Sequence, residues 1–231
     1  DVGLPAGFEA MDLWRVEGTA ASEVFILSWD FTLFRWDGAD VTVVPVEAVE
    51  LGAAPGVGVF VMERNTDAIL RWNGTAFADA GFDDAAGDLS PYRLRVLPSG
   101  AWLIGNDYRS AAGVGTFVAR FDGTTWTDDA WQDETLTDVA ATADEAFLVF
   151  DSAAIRRWTP LSLSYESHVP PVPGYPTDAY SPGAGLVFVA FNGGALANWD
   201  RATSRWGTSP LQAEPRMSKL AAAGDGTLWG V

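Results

Sequence analysis

The stretch "ILRWNGTAF", Ile69 to Phe77, has two near-copies in the chain: "LFRWDGADV", Leu33 to Val41, and "VARFDGTTW", Val118 to Trp126. Each copy runs from apolar residues through Arg and an aromatic to an Asp-Gly or Asn-Gly pair. Gly and Asn accept positive φ at low cost, so each copy is predicted to be a β-hairpin. The aromatic before the turn should then face the residue five places later, pairing Trp72 with Phe77 and Phe121 with Trp126. Such cross-strand pairs stabilise a hairpin by roughly 0.2–1 kcal/mol each. The arginine beside the aromatic recurs as Arg35, Arg71, Arg120 and Arg157. A ligand site would not need the same residue in every copy. These arginines are therefore expected to pair with a carboxylate between repeats or to stack on a ring.

A second landmark sets the period. An aromatic stands inside a short apolar run at Phe25, Phe60, Trp102, Phe147, Phe188 and Trp229, at spacings of 35, 42, 45, 41 and 41 residues. The hairpin aromatics Trp36, Trp72, Phe121, Trp158 and Trp199 follow it by 11, 12, 19, 11 and 11 residues. A period of about 40 residues made of short strands and turns marks a β-propeller. The expected fold is all-β: one propeller domain over residues 1–231, with about six blades of four antiparallel strands. In blade 1 the four strands, a to d, fall at Met11–Glu17, Glu23–Ser28, Thr32–Trp36 and Val41–Val46. The sixth repeat reaches Val231 without a hairpin motif, so blade 6 is expected to be incomplete in this chain. Three readings account for this: the chain is a fragment of a longer one, blade 6 is short, or another chain donates a strand, since an open strand edge is a template for pairing.

"EVFIL…LFRWDG" and "GAWLIG…VARFDGTTW" resemble the W-x-V-G … DG-x-x-W repeats of bacterial secreted β-propellers. "NWDRATSRW", Asn198 to Trp206, resembles the D-x-x-T-x-x-W element of kelch repeats. The resemblance implies a propeller, secreted or on the cell surface, that serves as a binding or assembly module. The Asp-box of sialidases is not matched.

Composition narrows the partners. The 231 residues carry 14 Lys plus Arg against 31 Asp plus Glu, a net charge of −17. Such a chain repels phosphate backbones and anionic membranes, which excludes nucleic acid as a partner. The same charge keeps a protein with 11 Trp in solution. There is no Cys, so disulfides and Cys-ligated metals are excluded. No apolar run is long enough for a membrane span.

Candidate chemistry is sparse. An Asp or Asn recurs just past strand b at Asp30, Asn65, Asn106 with Asp107, Asp151 and Asn192. Asp30, Asn65, Asp107, Asp151 and Asn192 could supply oxygen ligands to an axial Ca²⁺, as in six-bladed calcium-dependent lactonases and esterases. Turn chemistry alone accounts for the same residues. The one histidine, His168, lies in a Pro-rich connector and is expected to be exposed. Blade 3 is the outlier, with a long loop "NDYRSAAGVG" after strand b and a long acidic connector before it. Long loops in a compact repeat carry function more often than not. Asn106, Asp107, Tyr108 and Arg109 are the candidate partner-binding residues. Trp14, Trp29 and Trp131 fall outside both landmarks and, if exposed, would suit a sugar.

The expected function is non-catalytic: an extracellular binding module or assembly subunit that engages a protein partner or another copy of itself. A calcium-dependent propeller hydrolase is the alternative, and lectin-like carbohydrate binding the third reading.

Overall fold

The computed structural model describes residues 12–83, 87–109, 114–131, 134–142, 145–152, 154–159, 166–168, 172, 174–183, 186–192, 194–208, 220–222 and 228–230. Every regular element among them is a strand. The chain divides into two compact units, 1–109 with 118–129, and 110–117 with 130–231.

Unit 1 holds β1 (Leu13–Ala20), β2 (Glu23–Ser28), β3 (Thr32–Trp36), β4 (Val41–Ala54), β5 (Gly58–Glu63), β6 (Ile69–Trp72) and β7 (Phe77–Asp79). They pair antiparallel in chain order as one seven-stranded sheet. Next come β8 (Leu89–Leu97), β9 (Gly100–Asp107), β10 (Gly115–Phe121) and β11 (Trp126–Trp131), ordered β11-β10-β9-β8. Unit 2 holds β12 (Leu136–Ala141), β13 (Ala146–Phe150), β14 (Ile155–Trp158) and β15 (Glu166–His168) as one sheet. It also holds β16 (Pro176–Gly183), β17 (Leu186–Phe191), β18 (Leu196–Asp200) and β19 (Arg205–Thr208) as another. The sixth landmark lies in a pair, β20 (Leu220–Ala222) and β21 (Leu228–Gly230).

Strands b and c of blade 1 fall where the sequence predicts them. Strand a runs to Ala20 rather than Glu17, and Met11 lies outside the described residues. Strand d differs more. It does not stop at Val46 but continues as β4, whose first half pairs with β3 and whose second half pairs with β5. Blades 1 and 2 therefore share a strand. No Gly or Asn interrupts residues 41–51, so nothing turns the chain. Pro45 falls where the β3–β4 register jumps from Leu33↔Val44 to Thr32↔Glu47. Proline has no N–H to give to a ladder, and a bulge is where that costs least. The crossing is tied down by Ala48 N–H donating to the Phe31 carbonyl at 3.1 Å and Arg64 N–H to the Glu47 carbonyl at 3.0 Å.

The two landmarks prove to be the two sides of one contact. The Phe25 ring meets Trp72 at 5.3 Å and Phe77 at 5.6 Å, in the next blade. Phe60 meets Phe121 at 5.6 Å, and Phe147 meets Trp199 at 5.1 Å. Tilted and edge-on rings of this kind stabilise by roughly 0.5–1.5 kcal/mol beyond the area they bury. The predicted hairpin pairs are present too, Trp72 with Phe77 at 5.2 Å and Phe121 with Trp126 at 5.1 Å.

The arginines follow the same geometry. Arg35 lies 5.2 Å over Trp72, Arg71 5.6 Å over Phe121 and Arg157 5.5 Å over Trp199, each ring belonging to the following blade. The guanidinium also closes its own blade. Arg71 donates to the Val57 carbonyl and Arg120 to the Ser99 carbonyl, each at 3.0 Å, while Arg157 pairs with Glu145. Stacking on a ring of the next blade thus occurs as expected, whereas the carboxylate partner of Arg157, Glu145, lies in its own blade rather than across a boundary.

Each hairpin turn is closed by its first side chain. Asp37 Oδ1 accepts from the Ala39 and Asp40 N–H groups at 3.0 Å. Asn73 Oδ1 accepts from Thr75 and Ala76 N–H at 2.9 Å, and Asp122 Oδ1 from Thr124 and Thr125 N–H at 2.9 and 3.0 Å. Gly38, Gly74 and Gly123 take φ of 100°, 102° and 110°, as the turn requires.

His168 departs from expectation. It sits in β15 opposite Ile155, half-buried, with its ring 5.1 Å from Trp199. The strand extends further into the Pro-rich segment than its composition implies.

Candidate partner-binding site

Blade 3 carries the most distinctive surface of unit 1. Asp107 ends β9 with 1% of its surface exposed. Its carboxylate accepts from Arg109 three times: backbone N–H at 2.9 Å, Nε at 3.0 Å and Nη2 at 2.9 Å. Arg109 Nη1 reaches Asp128 Oδ2 at 2.7 Å. The guanidinium holds the Asp107 carboxyl below the usual carboxylate range, and the two carboxylates hold Arg109 protonated. Tyr108 N–H donates to the Asp88 carbonyl at 2.8 Å, which fixes the backbone and leaves the phenol side chain out, 48% exposed. Asn106 is half-buried. Residues 110–113 of the loop lie outside the described residues.

Asp128 also lines a groove of about 320 Å³ between the blade 2–3 connector and β11. The connector contributes Ala80, Gly81, Phe82 and Asp83, and β11 contributes Trp126. Trp126 Nε1 donates to the Ala80 carbonyl at 3.0 Å, and the Phe82 ring stands 5.5 Å from Trp126. The two unusual features of the sequence, the long acidic connector and the long loop, thus meet at one carboxylate. Only the first-mentioned pair, loop and connector, is legible from repeat spacing.

The remaining candidate oxygen ligands have mostly local partners. Asp30 accepts from the Ser28 hydroxyl and, at 3.3 Å, from Thr32 N–H, which lowers its pKa. Asn192 Oδ1 accepts from Tyr175 N–H at 2.8 Å. Asn65 and Asp151 are exposed in their turns. Among the described residues no group of three or more His, Cys, Asp or Glu could hold a metal. Trp29 is 58% exposed and meets Trp14 at 4.0 Å with the rings tilted by 47°; the Trp131 side chain lies outside the described residues.

One set of charged residues escapes the repeat pattern. The innermost strand of each of the first five blades carries a bulge, at Trp14, Val49, Tyr92, Thr137 and Thr177. A charged residue resumes the ladder each time: Arg15, Glu50, Arg93, Asp138 and Asp178. Within unit 1, Arg15 Nη1 donates to Glu50 Oε2 at 2.5 Å and to the Leu51 carbonyl at 2.8 Å. Within unit 2, Asp138 Oδ2 accepts from Ala179 N–H at 3.1 Å. In both units the backbone partner is the residue just after the next blade's charged position. The signal in the sequence is an offset of 9 or 10 residues before the landmark aromatic, and the same offset before Trp229 reaches Lys219, the chain's one lysine. Lys219 itself lies outside the described residues.

No family model and no curated protein matches the sequence. Solved structures do. YCF48 bound to D1 peptide superposes with a TM-score of 0.62 at 15% identity, covering 99% of this chain and 77% of that one. The extracellular domain of the putative one-component system BT4673 from B. thetaiotaomicron gives 0.65 at 15%, covering 99% of this chain but only 32% of that one. U3-55K gives 0.59 at 12%, covering 88% and 68%. With the antiparallel sheets above, these likenesses identify the fold as a β-propeller of about six blades. No helix among the described residues is long and apolar enough to cross a membrane.

Proposed function

We propose that this chain is a non-catalytic propeller that binds a protein partner through blade 3. The observation that carries the reading is the fixing of Arg109 between Asp107 and Asp128, which holds Tyr108 outward on a rigid strand end. A rigid aromatic beside a bound arginine makes a low-entropy anchor for a partner. A neighbour in fold, YCF48, has been solved with a peptide bound, which supports a peptide-binding use of such a scaffold. Asn106 and Asp107 belong to the same site as its supports. We take residues 1–231 as one propeller domain, with a kelch-like fifth blade, since the landmark period runs through both units. An extracellular location accords with the BT4673 extracellular domain among the neighbours and with the strongly acidic composition.

A library of random dodecapeptides, selected against the full chain, tests the reading. Binders that are lost with Tyr108→Ala support it; an empty selection, or binders indifferent to that change, overturns it. The calcium-dependent hydrolase is separated by a melting curve in EDTA and then in Ca²⁺. A melting temperature that climbs with the ion would replace binding with metal chemistry as the leading account.

A further inference from the structure

The groove beside β11 has a chemistry of its own. Of the outer strands that close a four-stranded hairpin ladder, β11 has 6 residues, against 3, 3 and 4 for β7, β15 and β19. Among the described residues it is the last strand of its sheet. A strand edge of that length can accept an extended segment by main-chain pairing. Residues alternate along a strand, so Trp126 and Asp128 share one side, and both line the groove. Phe82 completes an aromatic wall, and Asp83 stands exposed at the rim. The indole of Trp126 is fixed by its bond to the Ala80 carbonyl.

We infer that this groove takes an extended segment of a partner protein carrying arginine or lysine. The inference rests on the binding-module reading above and names the partner's chemistry. A cation in the groove meets the Trp126 face and two carboxylates at once. Arg109 occupies Asp128 Oδ2, and a carboxylate has capacity for further donors. Arg109 and Asp107 thus orient Asp128 for the incoming cation. The net charge of −17 draws basic segments toward the surface and repels acidic ones.

Two defined probes test it on the intact chain: a fluorescein-labelled heptapeptide of alternating valine and arginine, and its valine–glutamate counterpart. The basic peptide is expected to bind with an affinity that falls as salt rises, the acidic one not at all. Amide shifts should map to Phe82, Trp126 and Asp128. Asp83→Lys, at an exposed rim position that leaves the fold intact, should weaken the basic peptide about tenfold. Equal binding of both peptides, no binding of the basic one, or shifts that map away from β11 overturns the inference. The two readings fail separately. Selected dodecapeptides without Arg or Lys, and insensitive to Asp83→Lys, sink the basic-segment inference while the binding module stands; an empty selection sinks the module itself.

Discussion

Phe147 meets Trp199 with ring centroids 5.1 Å apart, and the two residues belong to different blades. Phe147 is fully buried and also touches Trp206 at 5.6 Å. Truncation therefore opens a cavity at a blade boundary rather than inside one sheet. Phe147→Ala is expected to cost about 3–5 kcal/mol. Urea unfolding followed by tryptophan fluorescence checks it, because Trp199 and Trp206 lose their shared neighbour. Phe25→Ala should act alike at the boundary of blades 1 and 2, where Phe25 meets Trp72.

The hairpin turns make stability depend on acid. Asp122 is lowered from 3.8 to about 2 by the backbone N–H groups of Thr125 and Thr124, Asp37 is lowered by the Asp40 and Ala39 N–H groups, and Asp200 is lowered by the Thr203 hydroxyl and the Ala202 N–H. A depressed carboxylate contributes fully above its unfolded pKa and loses that contribution as pH falls through the folded value. The urea midpoint should therefore drop between roughly pH 4 and pH 2. Asp122→Asn should flatten part of that limb without loss of fold, since Asn73 closes the equivalent turn through its amide oxygen.

Two of the charged residues after the bulges, Arg15 and Asp138, tie one blade to the next. Asp138 is fully buried, and its carboxylate satisfies the Ala179 N–H. Asp138→Ala leaves that donor unpaired, at a cost of about 1–3 kcal/mol. Asp138 Oδ1 also accepts from Val139 N–H at 2.8 Å, so Asp138→Asn, with one acceptor oxygen for two donors, should recover only part of the loss. A thermal melt of the two variants distinguishes this tie from a general intolerance of the position.

Two glycines separate backbone strain from backbone collision. Gly74 has a φ of 102° with open space around a built Cβ, whereas Gly100 has a φ of 135° and a Cβ there would strike the Phe121 carbonyl oxygen. Gly74→Ala should cost about 1 kcal/mol for its φ alone. Gly100→Ala should cost clearly more, because neither strand of the β9–β10 pair can give way locally. Denaturant midpoints of the two variants, measured together, check the order.

Most of the fold was legible because its signals are local. Asp-Gly and Asn-Gly mark hairpins by their own conformational freedom, and the landmark aromatics Phe25, Phe60 and Phe147 repeat because each wedges against a ring of the next blade. Strands β2 and β3 were readable residue by residue for that reason. The fusion of blades 1 and 2 is not, since no turn residue marks where the strand that begins at Val41 changes partner from β3 to β5. The charged residues after the bulges were hidden by the extra residue in front of them, which shifts their parity along the strand. His168 is hidden because its Pro-rich surroundings mark a connector, whereas its place in a strand depends on the register with Ile155. At the candidate site, Tyr108 and Arg109 stood out by loop length. The role of Asp128 did not, because it depends on where connector residues 80–83 come to lie.

Strand β4 has a consequence for how this chain can be cut and rearranged. It supplies the outermost strand of one blade and the innermost strand of the next on a single uninterrupted backbone. New termini opened within it would strip two sheets at once, so circular permutation there should yield no soluble product. Blades 4 and 5, built as separate sheets, can be exchanged as individual cassettes. The first two can only be inherited as a pair, and a duplication that copied one of them alone would deliver a sheet without an edge of its own.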